Sequence, residues 1–349
     1  MKTLYYFTKS EKLLKAAAEK ILDRKNDVII WCHGIAYHFN KNGVILEKGV
    51  AAQHKDAVEI FADMTKEDAT NAHRMASGRA GVREAEEQAE KILEKGVENL
   101  SKADRLALLA LINVAYHSSG KIEGCFSVDS CAACAFCQKM ISAALENILI
   151  ICGACYAAAD SYKEFSWRRH TLNARILSTV LFTAEELKTL AIDGNRCRFN
   201  EDGDTVNEIH ARNLLRIAET RPGTMFGYWY KNSVAVAAGL HAEGINRREE
   251  LPKNVRFIHS ALLIGFPPAA LWFDDALFVV YPDDKTTAAA VAAGAHECNG
   301  KRCRACGYWC YVHKRQEKPV IIAELLRCKK ATREKILAAY HARLEKISA

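Results

Sequence analysis

Four cysteines fall within thirteen residues near the C-terminal end of the chain, and their spacing favours metal binding. The pattern C-x4-C-x2-C-x3-C is formed by Cys298, Cys303, Cys306 and Cys310. A two-residue gap lets two thiolates face one ion, and four thiolates complete a tetrahedral site or hold one cubane cluster. Compact runs of four cysteines favour iron–sulfur, whereas zinc ribbons pair two separated CxxC knuckles. Zinc is the alternative, with His296 or His313 as a substitute ligand.

A second group of six cysteines lies in the middle of the chain: Cys125, Cys131, Cys134, Cys137, Cys152 and Cys155. Six thiols are too many for one mononuclear site, so we expect at least three of them to bind metal. Others, such as Cys125 and Cys131, are alternatively small core residues. A further alternative joins the knuckle at 152–155 with the knuckle at 303–306 in one zinc site.

The remaining cysteines and the start of the chain bear on the compartment. Cys32, Cys197 and Cys328 stand alone and are expected to be packing residues. The first residues, MKTLYYFTKSEKLL, lack the apolar middle of a signal peptide, and no apolar run is long enough for a membrane helix. We therefore expect a cytoplasmic protein without a membrane partner, in which cellular thiols keep the thirteen cysteines reduced.

The formal charge of +7 is mild for 349 residues and permits contact with nucleic acid or a nucleotide without requiring it. Arg168, Arg169 and His170 follow Trp167, and basic residues beside an aromatic ring can grip a single strand. The alternative, which we favour, is the start of a helix with a partly buried tryptophan.

The order of hydrophobic patterns predicts an α/β fold. TLYYFT and VIIWCH read as strands, Ser10–Lys25 as a helix, and IAYHFNKNGVILEKG as a hairpin turning at Asn42-Gly43. A helix is predicted from Ser101 to His117, with SKAD as its start. Residues 118–124 read as a linker.

From Arg196 onward, strands and helices alternate. The predicted strands are RCRF, TMFGYWY, NVRFIHSALL and ALFVVYP. Helices are predicted at TVNEIHARNLLRIAET, in a short segment that follows TMFGYWY and ends at about His241, and at Asp284–Gly294. This βαβ order implies a parallel sheet. Because a complete barrel needs about 250 residues, we expect a partial barrel or open parallel βα array with cysteine-rich metal-binding insertions. Further helices are predicted at 320–329 and from 331 to the end.

Three regions follow: a small N-terminal α+β module at 1–120, a cysteine-rich α/β core at 121–330, and a C-terminal helix at 331–349. Ligands of parallel α/β sheets sit at the carboxyl ends of strands. The polar residues expected there are Asn200, Glu201, Asp202, Asp204, Lys231, Asn232 and Ser260.

Asp204 and Lys231 follow consecutive strands, so we expect them to be neighbours and assign them to catalysis, since a carboxylate beside an ammonium can move a proton. Asn232 and Ser260 are assigned to cofactor binding. The alternative for Asp204 is that it and Thr205 cap the next helix. His210 and His259 are expected to be surface or hydrogen-bonded core histidines.

Several of these motifs together resemble the phage gene product eighty-eight family and its relatives in gut bacteria and mobile elements. They are Cys137-Gln138-Lys139, the CxxCYA of Cys152–Ala157, Arg198-Phe199, Gly203-Asp204, Trp229–Asn232, Pro252-Lys253-Asn254 with Ser260, and Cys310-Tyr311. The resemblance covers about Cys125 to Lys330 and implies a fold region and metal ligands rather than a reaction. Two departures are Tyr230, where relatives have Thr, and one extra residue before Cys310.

The chain also bears a weaker likeness to divergent radical S-adenosylmethionine proteins, in which three cysteines hold a [4Fe–4S] cluster that binds the cofactor. The likeness implies that Cys137, Cys152 and Cys155 are those ligands and that the C-terminal four hold a second cluster. The usual C-x3-C-x2-C motif is absent.

The sequence therefore predicts an iron–sulfur protein of phage or mobile-element type. Its refinement is a radical S-adenosylmethionine-like enzyme acting on a nucleotide or nucleic acid. The alternative is a non-catalytic, zinc-stabilised module that binds nucleic acid or protein.

Overall fold

The computed structural model describes residues 82–117, 124–130, 147–151, 164–201, 203–298, 309–311, 315–326 and 330–348. Before residue 82 it describes only the backbone of the strands at 4–8, 28–32, 35–39, 45–48 and 58–59, and at residues 164–167, 309, 330–331 and 348 it describes the backbone alone. The chain divides into two compact units, Met1–Gln88 with Lys163–Phe165 and Ala89–Tyr162 with Ser166–Ala349. Each unit is described by itself.

The N-terminal unit contains a five-stranded sheet in the order β4-β3-β2-β1-β5. Its strands are β1 (Leu4–Thr8), β2 (Val28–Cys32), β3 (Ile35–Phe39), β4 (Ile45–Lys48) and β5 (Val58–Glu59). β1 is parallel to β2 and β5, and β3 is antiparallel to β2 and β4. The antiparallel β3 and β4 flank the predicted turn at Asn42-Gly43, whereas the helix predicted at Ser10–Lys25 lies outside the described residues.

The larger unit is built on an eight-stranded, mostly parallel sheet, as the alternating pattern predicted. Its strands are β6 (Ala115–His117), β7 (Cys125–Val128), β8 (Arg196–Phe199), β9 (Met225–Tyr230), β10 (Val255–Ser260), β11 (Ala276–Tyr281), β12 (His296–Glu297) and β13 (Val320–Leu325). The order is β12-β13-β11-β10-β9-β8-β7-β6, and only β6 runs antiparallel to its neighbour. β6 precedes the predicted boundary at residue 120, yet it pairs with β7 beyond it.

The helices of this unit lie mostly between the strands along the chain. They are α1 (Lys102–Ala110), α2 (Glu164–Thr179), α3 (Ala184–Leu187), α4 (Glu208–Glu219), α5 (Ser233–Ala242), α6 (Asp284–Ala292) and α7 (Lys330–Ser348), and residues 82–93 are also helical. Because β7 to β11 are adjacent in chain order and crossovers are right-handed, the connecting helices fall on one face of the sheet. Ala290 of α6 packs there against Val279, Tyr281 and Ala323.

We call this surface the helix face, and its centre is a row of buried aromatic rings. Phe199 lies 4.8 Å from Phe226 and 5.7 Å from Tyr228 between ring centroids, and Tyr228 lies 5.6 Å from Phe257. All four rings are fully buried. Each aromatic pair adds about 0.5–1.5 kcal/mol beyond the burial of its area, so this row fixes the register of β8, β9 and β10.

Two segments predicted as helix are strands. Val320–Leu325 forms β13 between β11 and β12. The helix α1 ends at Ala110, with Leu111 as its C-cap, and Ala115–His117 forms β6. The β-branched residues of VIIAEL suit a pleated surface. Both segments pair with a neighbouring strand of the large sheet. The predicted start of α1 is confirmed, since Ser101 and Asp104 form a capping box.

No helix in the described part of the chain combines the length and apolar character required to cross a membrane.

The helix predicted from residue 331 is confirmed as α7. It packs Ile336 and Tyr340 against Leu149, Ile264 and Leu326.

Candidate functional site

The second surface of the large sheet, opposite the helix face, carries most of the unusual residues. We call it the cysteine face and define it by alternation along the strands: Cys125 and Ser127 of β7, Arg198 of β8, Gly227 and Trp229 of β9, Ile258 of β10, Phe278 of β11 and Ile322 of β13. Tyr311 lies over Gly227 so closely that an added Cβ atom would sit 3.1 Å from its Cε1 atom. Because residue 227 has no side chain, the segment Trp309–Tyr311 can approach the sheet. This segment lies next to Trp229.

Two of the predicted metal ligands meet on this face. Cys298 and Cys310, at either end of the C-terminal cysteine group, pack partly buried against one cluster of side chains, formed by Trp229, Ile258, Ala276 and Ile322. Cys298 is anchored by its backbone N–H, which donates to the carbonyl oxygen of Ala323 at 2.7 Å. The sheet thus brings both ends of the group to one place.

The surroundings of these two thiols suit a soft, thiolate-bound group. The side chains of this cluster are apolar, and the Arg198 guanidinium lies 4.3 Å over the Trp229 ring. Trp229 is 9% exposed, and its indole Nε1 is buried without a hydrogen-bond partner among the described residues. A buried N–H without an acceptor costs about 1–3 kcal/mol. A sulfur acceptor bound beside it would remove that cost.

The other predicted ligands, Cys137, Cys152, Cys155, Cys303 and Cys306, lie outside the described residues. Within the described ranges, no group of three or more His, Cys, Asp or Glu side chains is placed to hold a metal ion. The assignment of all seven ligands therefore remains a prediction.

Cys125 is buried on the cysteine face, and its thiol donates to the Tyr311 hydroxyl oxygen at 3.6 Å. Burial raises the pKa of Cys125 to about 11, so the thiol is protonated in this environment. Cys197 is fully buried on the helix face, as expected of a packing residue, and burial raises its pKa as well. The side chains of Cys32 and Cys328 lie outside the described residues.

Asp204 and Lys231 are neighbours, as predicted from the order of their strands. The Asp204 carboxylate accepts hydrogen bonds from the backbone N–H groups of Thr205 at 2.7 Å, Lys231 at 3.0 and 3.1 Å, and Asn232 at 3.1 Å. Burial raises the pKa of Asp204, while the Lys231 charge and the three N–H donors act in the opposite direction. The carboxylate holds the ends of β8 and β9 together.

The alternative role for Asp204, as cap of the next helix, is wrong. α4 begins at Glu208, and its N-cap is Asn207, whose side chain accepts from the His210 N–H at 3.0 Å. The sequence places Asp204 three residues too early to reach that helix end. Its hydrogen bonds instead reach the turn that starts α5.

Asn232 and Ser260, assigned to cofactor binding, lie at the carboxyl ends of β9 and β10. Asn232 is the N-cap of α5, and its amide donates to the Thr205 carbonyl oxygen at 2.9 Å. Ser260 is 7% exposed, and its hydroxyl makes no hydrogen bond within the described part of the chain. Asn232 thus has a structural task, and both assignments stay predictions.

The two histidines expected to be ordinary core or surface residues are both buried. His210 accepts a hydrogen bond at Nδ1 from the Val206 N–H at 3.1 Å, and burial lowers its pKa to about 3. The His259 ring stacks on Tyr230 and contacts Asp274 at 3.3 Å. The Tyr230 hydroxyl also donates to Asp274, which is fully buried.

Residues 168–170, considered as a nucleic-acid contact, lie in α2, which begins at Glu164, so the favoured helical interpretation is confirmed. The side chain of Trp167 lies outside the described residues. The Arg169 guanidinium donates to the Asn113 side-chain oxygen at 3.0 Å, and burial lowers the pKa of Arg169. His170 is half-buried beside Asp129, with 4.0 Å between Nε2 and Oδ2. This segment therefore contributes to the interior of the unit.

One cluster escaped the sequence reasoning. His117 of β6, Ser127 of β7, Asp129 and Glu201 converge at one end of the cysteine face, with His117 Nε2 3.1 Å from Glu201 Oε2. No local signal could have found it, because His117 fell in a segment predicted as helix and its partner lies far along the chain. Only Glu201 was expected at a strand end.

Comparison with known protein families, curated proteins and solved structures gives no match to this chain.

Proposed function

We propose that the protein is an iron–sulfur protein in which Cys298, Cys303, Cys306 and Cys310 hold a cluster against the cysteine face. The observation that carries this proposal is the packing of Cys298 and Cys310 against the same side chains, Trp229 among them. Two thiols at the ends of a four-cysteine run that share one binding surface allow the run to close around one group.

The chemistry of these residues fits such a group. Thiolates are the ligands of iron–sulfur clusters, and an apolar shell with one N–H donor tunes their potential. Cys298, Cys303, Cys306 and Cys310 would hold a [4Fe–4S] cluster in this position, and such a cluster would supply single-electron chemistry. The chain contributes the apolar floor and the Trp229 N–H.

The refined proposal is a radical S-adenosylmethionine-like enzyme acting on a nucleotide or nucleic acid, related to the phage gene product eighty-eight family. Cys137, Cys152 and Cys155 would then hold a second cluster. Support comes from the order of the parallel strands β7 to β11, which is the chain order found in partial βα barrels. Asp204, Lys231, Asn232 and Ser260 follow or end strands at their carboxyl ends, where such sheets bind ligands.

A zinc-stabilised binding module is the second candidate, and one observation favours it. His296 pairs in register with Ile322 of the shared cluster and lies two residues before Cys298, so the same face of the sheet also carries an imidazole. Histidine is a common zinc ligand and a rare ligand of iron–sulfur clusters.

Anaerobic purification followed by metal analysis and a visible spectrum separates the two candidates. If the iron–sulfur proposal is correct, the protein is brown, absorbs at about 400 nm and contains several irons per chain. Stoichiometric zinc in a colourless protein would replace it with the second candidate. A chain with neither metal would exclude both.

Cysteine variants locate the metal. Cys298→Ser and Cys310→Ser should each lower the metal content by one cluster, because each removes one of four ligands. Cys197→Ala is the matched control, since that thiol is buried on the helix face. Equal metal loss in the control would show a general folding defect instead of a lost ligand.

The reaction and the partner need their own assays. Reductive cleavage of S-adenosylmethionine by the iron-loaded chain tests the radical refinement, and the triple variant of Cys137, Cys152 and Cys155 to Ala should abolish it. Nucleic-acid binding should weaken with added salt, because counterions are released when phosphates are neutralised. Binding that is insensitive to salt would argue against a nucleic-acid partner.

A further inference from the structure

The cluster at the β6 end of the cysteine face has the geometry of an oriented imidazole. His117 Nε2 lies 3.1 Å from Glu201 Oε2 and 2.9 Å from the Ser127 hydroxyl oxygen. The Ser127 hydroxyl in turn donates to Asp129 Oδ2 at 2.7 Å. All these contacts use one ring nitrogen, and Nδ1 makes no hydrogen bond within the described residues. The imidazole keeps 27% of its surface exposed.

The backbone holds Glu201 in place through an unusual residue. Asn200 has φ 58, the one left-handed non-glycine conformation among the described residues. Its side chain is fixed from three directions, by Ser130 at 2.7 Å, the Trp229 carbonyl oxygen at 2.9 Å and Thr205 at 3.2 Å. Such conformations concentrate at functional sites. Here the turn directs Glu201 from the end of β8 toward His117.

Asp129 completes the frame from the end of β7. Its Oδ1 accepts the Glu201 backbone N–H at 2.7 Å, and its own backbone carbonyl oxygen accepts from the Asn173 amide at 3.1 Å. Both carboxylates are therefore engaged inside the cluster. Nδ1 of His117 makes no hydrogen bond within the described residues, and the ring is partly exposed, so this nitrogen can contact a ligand.

The charges around His117 set its protonation. The hydrogen bond to Glu201 raises the pKa of His117, Asp129 adds to that effect, and burial and the Arg198 guanidinium oppose it. Burial lowers the pKa of the neighbouring His170, which favours the neutral form of that ring. Burial acts to raise the pKa of Glu201, but the hydrogen bond from His117 and the Arg198 charge outweigh it and lower that pKa. The shifts at His117 and Glu201 both favour a protonated imidazole beside an ionised carboxylate.

We propose that His117 and Glu201 form an anion-binding dyad for a ligand that carries an oxyanion, a phosphate or a carboxylate, on the cysteine face. Glu201 accepts the Nε2 proton in a hydrogen bond and orients the ring, and Nδ1 of the protonated ring donates a charge-assisted hydrogen bond to the ligand oxygen. No covalent bond is broken, and the bound anion stabilises the protonated form of His117. This dyad does not depend on the proposed metal.

An anion is the class of ligand that fits, because the positive charges of a protonated His117 and of Arg198 together balance the carboxylates of Glu201 and Asp129, and Nδ1 is an imidazolium donor. A charge-assisted hydrogen bond from an imidazolium to an oxyanion is also stronger than one to a neutral acceptor. Arg198, on the same face and paired in register with Ser127, adds positive charge next to it.

Imidazole NMR of protein labelled at histidine tests the dyad, with the His117 signals assigned by their loss in His117→Gln. Inorganic phosphate and acetate are titrated separately. The expected result is a saturable change at His117 and a rise in its pKa with phosphate, acetate or both. Phosphate alone would identify a tetrahedral oxyanion and acetate alone a carboxylate. No response to either anion would overturn the proposal, as would a hydrogen-bonded Nδ1 in the free protein.

Variants separate this role from a structural one. Glu201→Gln should lower the pKa of His117 by about one pH unit and weaken the anion response, and Glu201→Asp should restore part of both. Glu208→Gln, at an exposed glutamate on α4, should leave both unchanged. An exposed histidine, His241, reports non-specific anion effects, and a response there equal to that of His117 would count against the dyad.

Discussion

Both oxygens of the Asp204 carboxylate accept from the backbone N–H of Lys231, at 3.0 and 3.1 Å. The acidic side chain after β8 is thereby tied to the main chain after β9. The two residues are neighbours, as predicted: the backbone N–H of Lys231 donates to the carboxylate, and the Lys231 charge also acts on it.

Asp204→Asn should destabilise the protein by about 3 kcal/mol. An amide has one acceptor oxygen, and its NH2 group would face N–H donors that now meet a carboxylate. Urea unfolding at neutral pH measures the loss. Asp284→Asn, at an exposed position in the first turn of α6, should change the free energy of unfolding by less than about 0.5 kcal/mol. Equal effects of the two substitutions would contradict this account.

Acid should weaken the contact between Arg105 and Glu186. The guanidinium donates to both carboxylate oxygens, at 2.6 and 2.8 Å, and holds the pKa of Glu186 at about 2, below its ordinary 4.5. A folded pKa below the unfolded one gives stability that is present above pH 4.5 and lost as the pH falls toward 2. Free energies of unfolding measured across that window should therefore decrease toward acid.

Glu186→Gln should flatten this dependence and cost about 2 kcal/mol at neutral pH, because it leaves a half-buried guanidinium without its anion. Glutamine still accepts the Thr183 N–H that closes the capping box of α3. Glu185→Gln is the matched control, since that side chain is 80% exposed. A pH dependence that survives Glu186→Gln intact would assign it to other groups.

Gly265→Ala should loosen the contact of α7 with the sheet. The residue has φ +79, and an added Cβ atom would lie 2.3 Å from Cε2 of Tyr340. We expect a loss of about 3 kcal/mol in the free energy of unfolding, from the left-handed backbone and the overlap together. Gly244→Ala has nearly the same φ, +77, with open space around it, and should show only the backbone share. Equal losses would mean that Tyr340 moves aside freely.

Gly227→Val should displace the segment that carries Cys310 from the cysteine face. The new side chain would overlap Tyr311, whose Cε1 and Cζ atoms already lie 3.1 and 3.3 Å from the Cβ position. In metal-free, reduced protein, Cys310 should then be alkylated several-fold faster, as measured by mass spectrometry of the modified peptide. Gly223→Val, with no atom near its Cβ position, should leave the rate unchanged. An unaltered rate in Gly227→Val would contradict the packing of this segment.

The sequence was sufficient for the βα order from Arg196 to Tyr281, because each strand there is a short apolar run bounded by turn residues. It failed at Val320–Leu325 and at Ala115–His117, where a helical reading fitted the local pattern equally well. Both segments are strands because an existing sheet offered them unpaired backbone groups. Local preference is weaker than such pairing.

The candidate site shows the same division. Cysteine spacing by itself predicted that Cys298 and Cys310 belong to one ligand group, because gaps of two to four residues let thiolates face one ion. The apolar cluster against which both thiols pack, with Trp229 among its members, exists because β9, β10, β11 and β13 lie side by side. No local sequence pattern predicts that arrangement. His117 and Glu201 are the extreme case, since neither residue is unusual in its own segment.

The sequence by itself determined the mixed α/β class, the start of α1, the alternation of strands and helices, and the residue types that can bind metal. These features follow from short-range periodicity, capping and spacing. Tertiary structure alone decided which face of the sheet receives the cysteines, how the Asp204 carboxylate is used, and that an imidazole from β6 meets a carboxylate from the end of β8. Those contacts join residues far apart in the chain, and the packing of the sheet creates them.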